Sequence, residues 1–140
     1  MTDEAEIRRI LDDWRAALHA KDAEALAAHA AQDILSFDLA PPLATRGPDV
    51  AGTRSWLATW EGPIDLQAHD VDIQADGGVA FSTSLNRLRG TKTDGTRVDL
   101  WVRATVGYRK VDSRWTVVHE HVSVPFYMDG SGRAALDLKP

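Results

Sequence analysis

An α+β fold is predicted, helices first and a sheet after them, and three observations carry the prediction. Up to about residue 60 apolar residues recur at three- and four-residue spacing, whereas beyond residue 63 the chain reads as strands rich in Val, Ile, Thr, Phe and Trp. Short turn signals, "DGG", "TDG" and "VDS", separate those strands, so neighbours are expected to pair as antiparallel hairpins. Helices that precede such a meander cover one of its faces.

The first helix is expected over about residues 3 to 20, where Ile7, Ile10, Leu11, Trp14, Ala17 and Leu18 form one stripe. Asp3 followed by Glu6 has the spacing of a capping box. Asp22 offers an N-cap to "AEALAAHAA", a second, alanine-rich helix. "ILSFDL", residues 34 to 39, reads as a short strand, which Pro41 and Pro42 end because neither has an amide to donate. Gly47 and Pro48 open a third helix reaching about Trp60, with Gly62 suited to the stop. The four strands are "IDLQAHDVDIQA", "VAFSTSLNRLRG", "RVDLWVRATVGYRK" and "RWTVVHEHVSVPF". One domain is expected, with its core at about residues 3–126 and a polar tail at 127–140.

Composition narrows the partners. A net charge of -5 with no cluster of Lys or Arg argues against nucleic acid and anionic membrane, leaving small molecules or proteins. The absence of cysteine excludes disulfides and thiolate catalysis. The first twenty residues are charged every few positions, and no later run would span a bilayer, so a cytoplasmic protein is expected.

Strand alternation sorts the side chains. Ser82, Ser84 and Asn86 oppose Phe81, Thr83, Leu85 and Arg87, while Asp99, Trp101, Arg103 and Thr105 oppose Leu100, Val102, Ala104, Val106 and Tyr108. In "WTVVHEHVSV", Trp115, Val117, His119, His121 and Ser123 oppose Val118, Glu120, Val122 and Val124. Matching polar sets with polar sets makes an outer face that includes Ser82, Ser84, Asn86, Trp101, Arg103, His119 and His121. The helices then bury their stripes against an inner face, on which Glu120, Arg87, Thr83 and Tyr108 are the polar exceptions that need a partner or a purpose. His119 and His121 belong to a hydrogen-bonded outer layer in this reading, so no metal is expected, although His69 or Asp99 offers a third donor.

The order of helix, helix, "FDLAPPL", helix and a four-stranded meander ending in "W-x-x-V-H-x-H-x-S" resembles the SnoaL-like and ketosteroid-isomerase-like branch of the nuclear transport factor two superfamily, over about Ile7 to Pro125. The resemblance implies a cone-shaped fold of three N-terminal helices on a curved, mainly antiparallel sheet. It also implies a homodimer joined through the outer face bearing Trp101, Arg103, His119 and His121. Asp38 matches the proton-shuttling base of the isomerases, and Glu120 falls near the acid/base aspartate of the polyketide cyclases. Trp14 stands where the isomerases carry their oxyanion tyrosine, and Val106 where they carry a protonated aspartic acid, so steroid isomerisation itself is not expected.

Each candidate carries two readings. Asp38 is a general base raised in pKa by Phe37, Leu39 and nearby tryptophans, or a turn former before the prolines. Glu120 is an acid/base group, or the partner of Arg87 in a buried ion pair. Trp14, Trp56 and Trp60 line a pocket for a ring-shaped ligand or fill the core. The expected function is a cofactor-independent isomerase or cyclase acting by carboxylate proton transfer on a hydrophobic, ring-containing carbonyl compound. The alternative is a non-catalytic ligand-binding or dimerisation module of the same fold.

Overall fold

A computed structural model describes residues 1–140, in the order α1 (Asp3–Ala20), α2 (Ala23–Leu26), β1 (Ala30–Phe37), β2 (Thr45–Arg46), α3 (Val50–Leu57), β3 (Trp60–Asp76), β4 (Val79–Lys92), β5 (Arg97–Val111) and β6 (Arg114–Ser123). The six strands form one sheet in the order β2-β1-β6-β5-β4-β3. Every pairing is antiparallel except β1 with β6.

The stripe on α1 is buried as its spacing predicts, but the cap is Thr2, whose side chain accepts from Ala5 N. Asp3 instead ties the helix to the sheet, accepting from Lys110 Nζ and Trp115 Nε1, each at 2.9 Å. Those bonds hold its carboxyl below the usual range. Asp22 caps α2 as expected, yet the helix stops at Leu26. Alanine is the strongest helix former, but intrinsic propensity yields to tertiary pairing and the sheet claims this stretch: Val117 N bonds His29 O at 2.8 Å and Ala30 pairs with Val117. The third helix is shorter at both ends than expected, capped by Asp49, and Trp60 already belongs to β3.

Two registers overturn the expected faces. Ser82 pairs with Val106, Ser84 with Ala104 and Asn86 with Val102, so the serines and the asparagine lie on the inner face. Thr83 and Arg87, pairing with Thr105 and Trp101, therefore lie outside. In β6 a bulge intervenes, because Tyr108 pairs with Val117 while Gly107 pairs with His119. The extra residue, Val118, resets the alternation, so Trp115 and Val117 turn inward together with Glu120, and His119 and His121 stay outside.

The polar tail is ordered: Phe126 bridges Ala134, Ala135 N bonds Pro125 O at 2.8 Å, and Ala135 is buried. No helix is long and apolar enough to cross a membrane.

Candidate functional site

Two apolar clusters occupy the ends of the inner face. One joins Leu18, Ala23, Leu57, Trp60, Ile64 and Leu66, and the other joins Ile7, Ile10, Ala80, Tyr108 and Trp115. Between them Ser84, Asn86, Val106, Glu120 and Val122 are only half-buried. On α1, Trp14 sits mid-stripe among Ile7, Ile10, Ala17 and Leu18, which are at most 5% exposed, yet it is itself 36% exposed. Interiors are close-packed, so a side chain at the centre of a buried stripe stays open only where nothing fills the space facing it. Between the two clusters the inner face is thus incompletely covered, which leaves a recess in its packing.

Two carboxyls border the recess. Ser36 and Glu120 are Cα partners across the parallel β1–β6 pair, and Ser36 Oγ donates to Glu120 Oε1 at 3.0 Å. Burial pushes the Glu120 pKa up, the Ser36 hydrogen bond opposes this, the nearby Asp38 raises it further and His119 lowers it. Asp38, two residues beyond Ser36 and so on the same face, stands exposed at the strand end, where lost hydration still pushes its pKa up. No Lys or Arg is among the groups that shift either carboxyl. Two neighbouring carboxyls with no Lys or Arg beside them disfavour double ionisation, which equips one to hold a proton while the other accepts one.

The remaining expected site residues are scattered by the fold. Arg87 does not reach Glu120: it makes a two-pronged ion pair with Asp99 on the outer face, at 2.8 and 2.7 Å. Thr83 shares that face. Phe37 also lies outside, paired with His121, with its ring edge-on to His119 at 4.9 Å and to His121 at 5.5 Å. Trp60 is core, and Trp56 packs edge-on against it at 5.7 Å with Lys92 Nζ 3.9 Å from the Trp60 ring centroid. Val106 does lie on the inner face, paired with Glu120 and packed against the Ile7–Trp115 cluster. Tyr108 faces inward but is 1% exposed and bonded to Ser82 Oγ at 2.9 Å, and burial pushes its pKa up to about 12.

His119 Nδ1 lies 2.7 Å from Leu35 O, and His69 packs against Trp101 with the rings 4.9 Å apart and tilted by 56°. No group of three or more His, Cys, Asp or Glu side chains is placed to hold one ion. Two open grooves lie elsewhere, one of about 420 Å³ between Asp65, Arg89, Arg97 and Asp99, the other of about 370 Å³ between α1 and α2 beside Asp13 and His29.

Ser36, Ser84 and Asn86 are the site residues that the sequence reading missed. Ser36 was legible, since Ile34, Ser36 and Asp38 alternate onto one face. For Ser84 and Asn86 the signal was the hairpin: counting back from the Thr93–Gly95 turn pairs even-numbered residues of β4 with even-numbered residues of β5.

The SnoaL-like domain family matches residues 7–127, and the chain belongs to it. An NTF2-like protein of unknown function from Pseudomonas putida KT2440 has a similar structure, with a TM-score of 0.86, 32% identity, and coverage of 100% of this chain and 99% of that one. A protein from Novosphingobium aromaticivorans, provisionally described as a scytalone dehydratase, superposes with a TM-score of 0.78 at 17% identity over 98% of this chain and 95% of that one. A cystatin-like-fold protein of unknown function from Nostoc punctiforme gives 0.71 at 18% identity over 88% and 91%. No match is found among curated proteins.

Proposed function

We propose that the protein is a small-molecule enzyme that moves a proton on a hydrophobic, ring-containing carbonyl compound, with Asp38 and Glu120 as the acid/base pair. The observation that carries this reading is the pair itself: two carboxyls on one face, both raised in pKa by lost hydration, with Asp38 raising Glu120 further. Asp38, nearer solvent, takes the proton from the carbon beside the carbonyl. Glu120, deeper and raised in pKa by its burial, donates from its protonated form a hydrogen bond to the carbonyl oxygen as charge builds there, and Asp38 then returns its proton to the carbon at the far end of the shifted double bond. Trp14, Val106 and Val122 supply apolar walls for the ring. One structural relative is provisionally described as a scytalone dehydratase, and dehydration in general likewise removes one proton and delivers another, to the departing hydroxyl.

A non-catalytic binding module is the second reading, and one observation favours it: Tyr108, the strongest neutral hydroxyl donor on the inner face, is already committed to Ser82. NMR titration of the two carboxyls, with turnover assayed over cyclic ketones and enones, separates the readings. Two ordinary titrations and no turnover would leave only binding. Self-association is part of the proposal: Trp101, Arg103, His119 and His121 share the outer face with Phe37 and with Phe81, which is 47% exposed. Light scattering that shows a monomer at micromolar concentration would refute the dimer.

A further inference from the structure

We propose that residues Leu39–Ala44 are an apolar lid over the recess, and that Leu39 and Leu43 select a ligand by its apolar surface. The inference rests on the recess being the binding site. The segment "LAPPLA" carries no polar side chain, whereas the other surface turns are rich in Asp, Ser and Gly. All six residues are exposed, with Leu39 at 48% and Leu43 at 97%. Residues 38–44 take part in no backbone hydrogen bond, so little holds the tip in its present position.

The ends of the segment, by contrast, are fixed. Leu35 pairs with Arg46, Ser36 with Thr45, and Gly47 N bonds Ile34 O at 2.8 Å. The tip starts immediately after Asp38, and past its far end the chain enters α3, whose Leu57 packs with Leu18 and Trp60 on the inner side of the sheet. A free apolar tip between two fixed ends, one at the sheet edge and one leading to a helix over the inner face, therefore begins beside Asp38, the carboxyl near enough to act on Glu120. Leucines held in water break no backbone hydrogen bond by folding down onto a ring-bearing ligand, and the apolar area they bury offsets the entropy of ordering the tip.

The probe for the test is N-phenyl-1-naphthylamine, an uncharged fluorescent ring compound. The doubly substituted protein Leu39→Ser, Leu43→Ser is expected to bind it about tenfold more weakly, as partial burial of two leucines would require. Its melting temperature should not change, because both side chains are exposed in the free chain. In the unaltered protein, probe binding should slow amide exchange at Leu39, Ala40, Leu43 and Ala44. Equal affinity in the doubly substituted protein, or exchange that does not slow, overturns the lid. Trp14→Ala distinguishes the levels: if it weakens the probe while the serine substitutions do not, the recess stands and the lid falls. If the unaltered protein does not bind the probe, or Trp14→Ala leaves binding untouched, the recess reading itself fails. If the serine substitutions instead dissociate a dimer, or abolish binding to phosphatidylcholine vesicles, the tip is a partner or membrane contact and the proposal is overturned.

Discussion

Ser36 Oγ donates to Glu120 Oε1 at 3.0 Å across the parallel β1–β6 pair, so the deeper carboxyl is steadied by a neutral hydroxyl rather than by a cation. A hydroxyl stabilises the ionised carboxylate far less than a guanidinium would, and burial therefore prevails over it.

Ser36→Ala should raise the Glu120 pKa further, since the ionised form loses its donor. The folded-state pKa lies above the model value of 4.5, so the stability that Glu120 contributes is fully present in acid and is lost as pH rises through the raised value. The loss should run to higher pH in Ser36→Ala. Carboxyl NMR titration of Glu120 measures the shift, and an unmoved midpoint would mean that the bond does not govern its ionisation.

Glu120→Gln and Asp38→Asn should each abolish turnover or binding while melting at an equal or higher temperature at pH 7. Both groups are raised, so their ionised forms cost stability at neutral pH and the neutral substitutes do not. The difference should vanish below the ordinary carboxylate range, where the native groups are protonated too. Strong destabilisation by Asp38→Asn with intact binding would make Asp38 a turn former.

Arg87→Met should cost less than about 1 kcal/mol and leave the Glu120 titration unchanged, because the Arg87–Asp99 pair is partly exposed, at 32% and 51%, on the opposite face. A buried partner of Glu120 would instead cost about 3 kcal/mol or more when removed. Urea unfolding distinguishes the two.

Gly90→Ala should destabilise by about 1–3 kcal/mol, since strand packing must shift to admit the methyl group. A Cβ at Gly90 would meet Trp60 Cζ3 at 2.7 Å and Cε3 at 2.8 Å. Tryptophan fluorescence should report the displaced ring alongside the lower melting temperature.

Tyr108→Phe should cost about 1–2 kcal/mol by leaving Ser82 Oγ, 3% exposed, without its partner. Activity should survive if Asp38 and Glu120 carry the chemistry, and its loss would give Tyr108 a direct role.

The residues by themselves determined the helix-then-sheet order, the α1 stripe, the Asp22 cap, the hairpin meander and the inward direction of Glu120, because each follows from local periodicity and turn chemistry. They also singled out Asp38. What they left undecided was which β4 face is inner, and polarity misled there: Ser82, Ser84 and Asn86 look like surface residues, yet cross-strand register turns them toward the recess. Likewise the bulge at Val118 moved Trp115 and Val117 to the other face by one extra residue, which no period of two can foresee. The partner of Glu120 was decided in the same way. Alternation offers Arg87 as one of two alternatives for Glu120, on a shared face that the register does not provide, while Ser36, 84 residues away in sequence, reaches it only because β1 lies parallel beside β6. Alternation along a strand is a local property of the backbone, but the pairing that assigns a face to each strand depends on hydrogen bonds between distant segments, and only the folded sheet supplies those.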